Sequence, residues 1–92
     1  MRKPMMAGNW KMNNTIEEAV ALTKAIRNAN PNTDAVDCVI CPSFVCLPAV
    51  DLTAQGTDIA VGAQAMHWEE SGAYSGEISP KMLEGLVQYV II

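Results

Sequence analysis

Four short apolar runs punctuate the chain, and the stretches between them carry apolar residues at helical spacing. Residues 4–10, Pro-Met-Met-Ala-Gly-Asn-Trp, form the first run. Its close in Gly8-Asn9 reads as a buried strand passing into a loop. Thr15-Ile16-Glu17-Glu18 then matches a capping box, in which Thr15 accepts the amide of Glu18 and Glu18 reaches back. Behind it Ile16, Ala19, Val20, Thr23 and Ile26 recur on one helix face, and Asn30-Pro31-Asn32 stops the helix. The second run, residues 36–41, is cut off by Pro42. A weaker helix follows over residues 48–55, with Pro48 tolerable in its first turn and Gly56 as its stop. Residues 59–64 make the third run, and a non-periodic stretch, 65–78, holds Gly72 and Gly76. Ser79-Pro80 is a helix start, a cap residue and then proline at the first helical position. Met82, Leu83 and Leu86 supply the apolar side of that helix, and residues 88–92 are a fourth strand.

Strands alternating with helices at this interval predict α/β architecture, in the order β-α-β-α-β-loop-α-β. The runs are nearly continuous rather than alternating, which predicts a parallel sheet covered on both faces. The whole chain, 92 residues, is no longer than one domain of ordinary size. Half of it is hydrophobic and 17% is charged, against a usual charged fraction of about 25%. Disorder is excluded on that composition. So few charges give a free-standing domain little polar exterior, and a piece of something larger is expected. A net charge of −4 without a basic cluster excludes nucleic acid and anionic membrane as partners. No apolar run reaches the roughly 18 residues of a membrane span. The start, Met1-Arg2-Lys3-Pro4, has charge but no apolar stretch behind it, so no secretory signal is expected. Three cysteines make no disulfide framework and fit a reducing, cytoplasmic setting.

Ligands in this architecture bind at the carboxyl ends of the strands. Asn9-Trp10-Lys11 puts an amide and an ammonium on alternate residues just beyond the first strand, so both can point to one side. A compact ammonium there suits an anionic substrate or a developing oxyanion; a surface lysine beside an asparagine turn is the plainer alternative. Cys38 and Cys41 invite a zinc or redox reading, but residues three apart in a strand face opposite sides and cannot share one metal. Buried apolar cysteines, Cys46 included, are expected instead. His67, the one histidine, has Trp68, Glu69 and Glu70 beside it and reads as packing or as a partner contact rather than a base.

Taken together, Ala7-Gly8-Asn9-Trp10-Lys11-Met12-Asn13, Cys41-Pro42-Ser43-Phe44, Gly62-Ala63-Gln64, His67-Trp68-Glu69-Glu70-Ser71-Gly72-Ala73, Gly76-Glu77-Ile78-Ser79-Pro80-Lys81-Met82-Leu83 and Tyr89-Val90-Ile91-Ile92 resemble the triosephosphate isomerase family. The blocks keep the family's order over essentially the whole chain. The resemblance implies a (β/α)8 barrel of about 250 residues, of which residues 1–92 are the first three and a half βα units of one domain. It also implies interconversion of dihydroxyacetone phosphate and glyceraldehyde 3-phosphate in glycolysis and gluconeogenesis, without cofactor or metal. Asn9 and Lys11 become substrate-binding residues, with Lys11 catalytic through stabilisation of the enediolate. The 65–78 loop becomes a homodimer contact, carried by Gln64, Met66, His67, Trp68, Glu69, Glu70, Ser75 and Glu77, with the Ser75 hydroxyl near the partner's active site. The family's electrophilic histidine and glutamate base lie beyond the matched blocks, so the 92 residues alone are expected to be inactive. Three positions depart from the family: Ala65 stands where asparagine is usual, Ser75 where threonine is common, and Leu86-Val87 lacks a helix-stopping glycine. A different class of reading is a non-catalytic barrel fragment or dimerisation module, and a third is a small redox protein using Cys38 and Cys41.

Overall fold

The computed structural model of the chain describes residues 3–92, so Met1 and Arg2 of the charged start lie outside the described residues. Four strands, β1 (Met5–Asn9), β2 (Asp37–Cys41), β3 (Ala60–Ala63) and β4 (Tyr89–Val90), form one sheet in sequential order. Every neighbouring pair is parallel, with Met5 opposite Asp37, Ile40 opposite Val61 and Gly62 opposite Tyr89. Between them lie α1 (Ile16–Asn28), a 3₁₀ turn (Phe44–Cys46) running into α2 (Leu47–Ala54), and α3 (Pro80–Leu83). The expected α/β order is therefore present.

Local chemistry sets the helix starts. Thr15 accepts from the Glu18 amide at 3.2 Å while the Glu18 carboxylate accepts from the Thr15 amide at 2.8 Å, closing the capping box. The Thr15 amide first, and the Thr15 hydroxyl second, hold the Glu18 carboxyl below the usual carboxylate range. Ser79 caps α3 by accepting from the Met82 amide at 3.2 Å, with Pro80 in the first turn. Thr23 is polar on the buried face of α1, and its hydroxyl is satisfied by donating to the Ala19 carbonyl at 2.7 Å.

The core lies between the sheet and its helices. Ile40, Val61 and Ala63 pack from the strands against Ala19, Leu47, Val50, Ala54 and Leu83 from the helices. Leu47 and Val50 are fully removed from water, each worth about 1.5–3 kcal/mol relative to exposure. Val39 and Cys41 point to the other side of the sheet and are also buried. Burial on both faces thus holds at β2 and β3 but fails at β1, whose five residues are all exposed. The reason is positional: β1 pairs on one side only, while α2 packs on β3 and α1 packs on α2.

Three further expectations are corrected. β4 is two residues long rather than five, although Gln88 and Ile91 donate to the Val61 and Ala63 carbonyls on either side of it, both at 2.9 Å. Met82 is 59% exposed, leaving Leu83 as the buried contact of α3. The helix stop thought missing at Leu86-Val87 is supplied by Gly85, at φ 77°. That left-handed turn ends α3 in a backbone conformation that a residue with a Cβ adopts only at a cost.

Candidate functional site

Beyond the carboxyl end of β1 the chain makes a turn from Asn9 to Asn14, and the turn is strained. Lys11 has φ 55° and Asn14 has φ 76°, both in the region that favours glycine. Internal hydrogen bonds account for part of this shape. The Asn9 side-chain oxygen accepts from the Lys11 amide at 2.9 Å, and the Asn13 side-chain amide donates to the Trp10 carbonyl at 2.9 Å. These are the local side-chain turns for which asparagine is suited. The Trp10 amide continues the ladder, donating to the Cys41 carbonyl at 3.1 Å.

The rest of the restraint comes from another strand. Gln64, just past β3, donates Nε2–H to the Lys11 carbonyl at 2.8 Å and to the Cys41 carbonyl at 2.9 Å. Both amide hydrogens are used, so one side chain ties the ends of β1, β2 and β3 together. Gln64 can reach because Gly62 lets the strands approach closely: a Cβ there would lie 2.8 Å from the Cys41 sulfur. Asn9, Lys11 and Gln64 are therefore brought together, with the Lys11 side chain exposed to solvent. Composition and spacing pointed to Asn9 and Lys11; the Gln64 strap was missed. Its one signal in the sequence is a long amide at the carboxyl end of an apolar run.

The remaining candidates form a separate group. The 65–78 loop is closed at its base by the His67 amide donating to the Ile78 carbonyl at 2.7 Å. The His67 ring lies 4.3 Å from Tyr74 and 5.1 Å from Trp68, and its Nδ1 accepts from the Glu69 amide at 3.1 Å. His67 thus packs within its own loop. Met66, Trp68, Glu69, Glu70, Ser75 and Glu77 are exposed around it, Trp68 at 83%. Cys38 and Cys41 lie on opposite faces of β2, and burial pushes the Cys41 thiol up from its ordinary value. A shared metal or a reactive pair is not available to them.

The model of the triosephosphate isomerase family matches residues 4–92. The chain belongs to the triosephosphate isomerase family. Among curated relatives, a triosephosphate isomerase of Clostridium botulinum (strain Loch Maree / Type A3) is 58% identical over 93 residues. Those of Clostridium perfringens (strain SM101 / Type A) and Clostridium tetani (strain Massachusetts / E88) are 53% and 50% identical over 95 residues. Each alignment covers 100% of this chain, but the chain spans only 36–37% of the length of these relatives. The four parallel strands with alternating helices agree with the N-terminal part of the triosephosphate isomerase barrel, and the Lys11 turn sits where barrel enzymes place their sites, at the carboxyl ends of the strands.

Proposed function

We propose that residues 1–92 are part of a single barrel domain of a cytoplasmic triosephosphate isomerase, an intramolecular oxidoreductase working in glycolysis and gluconeogenesis. Its substrates are dihydroxyacetone phosphate and glyceraldehyde 3-phosphate, and no cofactor is needed. The observation that carries this reading is the left-handed Lys11, held by Asn9 and Gln64 at the carboxyl end of β1. Strain of this kind persists only where the surroundings over-determine it, and it clusters at working sites. The Lys11 ammonium faces the negative charge of the bound substrate and of the enediolate that forms when a base removes the carbon-bound proton. Asn9 binds substrate beside it. The base and the electrophile come from later in the family's sequence, so this stretch binds and stabilises charge without moving the proton itself.

The exposed side chains of the 65–78 loop fit a homodimer contact, with Ser75 as the hydroxyl directed to the partner's site. Among the described residues no helix is long and apolar enough to cross a membrane.

The test is kinetic. In the complete enzyme carrying this chain, Lys11→Met should lower kcat/KM by two orders of magnitude or more. An ammonium aimed at developing charge in a dry site is worth about 3–4 kcal/mol. Lys11→Arg should also be poor, because a planar fork does not replace a point charge. Near-normal kinetics in Lys11→Met would reduce Lys11 to a surface residue. The 92-residue polypeptide, freed of host isomerase, should show no turnover.

A further inference from the structure

Gln64 ties the Lys11 turn at Lys11 itself; a different side chain ties its far end. Cys46, the last residue of the 3₁₀ turn, is fully buried and places its sulfur 3.7 Å from the Asn14 carbonyl oxygen. The Ser43 hydroxyl lies 3.5 Å from the same sulfur, and the Cys46 amide donates to the Ser43 carbonyl at 3.0 Å. A thiol has one hydrogen. With the Ser43 hydroxyl donating to the sulfur, that hydrogen is directed to the Asn14 carbonyl. The chain Ser43 → Cys46 → Asn14 therefore runs from the loop after β2 into the end of the Lys11 turn.

Asn14 is the second left-handed residue of this turn. It also stands immediately before Thr15, whose capping box fixes the start of α1. Lys11 and Asn14 are thus the two strained hinges of one short segment, and each has its carbonyl held by a side chain from another element. A left-handed hinge with its carbonyl free can relax to the broad β or right-handed regions, and relaxation at either end displaces the residues between.

We propose that Cys46 is a positioning residue for Lys11. Through its thiol, polarised by Ser43, it pins the Asn14 end of the turn as Gln64 pins the Lys11 end, and the ammonium keeps its place only with both anchors made. The proposal rests on the reading of Lys11 as the charge-stabilising group. It assigns to Cys46 a role that neither redox chemistry nor metal binding supplies, and that burial in an apolar core by itself does not require.

The test uses the complete isomerase carrying this chain, with Cys46→Ala, Cys46→Ser, Ser43→Ala and Lys11→Met measured side by side for kcat, KM and Tm. A thiol–carbonyl hydrogen bond is weak, so Cys46→Ala should lower kcat by about threefold to tenfold with a smaller change in KM. Cys46→Ser keeps a donor and should recover kcat to within about twofold of the parent, although replacing the larger sulfur in the core should still lower Tm below the parent's. Ser43→Ala leaves the thiol in place and should fall between. A purely packing role makes kcat follow Tm across the parent, Cys46→Ala, Cys46→Ser and Ser43→Ala, and that pattern overturns the proposal, as does parental kcat in Cys46→Ala. If Cys46→Ala does not fold, Cys46→Ser and Ser43→Ala decide the same question. Collapse of activity in Lys11→Met with parental Cys46→Ala sinks only the role of Cys46. Parental activity in Lys11→Met sinks the reading beneath it.

Discussion

Removing the Gln64 side chain is the sharpest perturbation of the proposed site that leaves Asn9 and Lys11 in place. Gln64→Ala deletes two hydrogen bonds, of 2.8 and 2.9 Å, from the carboxyl ends of three strands. At about 1 kcal/mol net for each, the Lys11 turn loses about 1 kcal/mol of direct restraint and the strap that anchors it to β2 loses a similar amount. A left-handed lysine stores about 1–2 kcal/mol of its own, which drives the freed turn towards a relaxed shape. Losses of this size correspond to about tenfold to a hundredfold in the population of the productive arrangement. Steady-state isomerisation by the complete enzyme should therefore show kcat/KM reduced by about that factor, while Lys11 and Asn9 remain. Gln64→Glu should be no better. Its carboxylate has no hydrogen to donate and meets two carbonyl oxygens instead. Sedimentation alongside the kinetics separates loss of turn geometry from loss of any dimer. A Gln64→Ala enzyme that is folded, of parental oligomeric state and within twofold of parental kcat/KM refutes the reasoning.

Three other outcomes follow from the fold. Gly85→Ala puts a Cβ on a residue at φ 77° and should destabilise the complete protein by about 1–2 kcal/mol in denaturant melts; an unchanged midpoint removes Gly85 as the stop of α3. Thr15→Ala breaks the capping box and should cost about 1 kcal/mol. The folded Glu18 carboxyl is depressed by Thr15, so its stabilising effect is present above the unfolded value and is lost as pH falls through the folded one. The Thr15 amide that does most of this survives in Thr15→Ala, so the carboxyl itself is removed instead: thermal melts from pH 3 to 7 should show a shallower acid loss in Glu18→Gln, and identical profiles contradict the coupling. The 92-residue polypeptide, with all of β1 exposed and Met6 at 69%, should be self-associated or molten, since an open apolar strand edge templates pairing. A compact monomer with a cooperative melt contradicts this.

Much of the frame was legible because its signals are local. Thr15 and Glu18 lie three residues apart and Ser79 directly precedes Pro80, so both caps can be read without knowing the fold. The apolar runs located all four strands, and helices between them implied the parallel sheet. Strand ends were read too long because apolar residues such as Ile91 and Ile92 continue past the last ladder pair. Met82, Leu83 and Leu86 lie close enough together to suggest one apolar face, whereas α3 is a single turn and buries only Leu83. At the site, Asn9 and Lys11 stood out by type and position. Gln64 and Cys46 act across 53 and 32 residues of sequence, and contacts of that reach depend on sheet order and on the room Gly62 leaves. Neither is written in a local pattern.

The most direct measurement of the central claim is the affinity of the complete enzyme for a small phosphorylated carboxylate that mimics the enediolate, compared by calorimetry with the Lys11→Met variant. Transition-state mimics report interactions that strengthen as charge develops. If Lys11 is held by Asn9 and Gln64 to meet that charge, the variant should bind the mimic about a hundredfold to a thousandfold more weakly, with its fold intact by circular dichroism. Equal affinity in the two proteins would contradict the assignment of Lys11 and, with it, the proposed role of the turn.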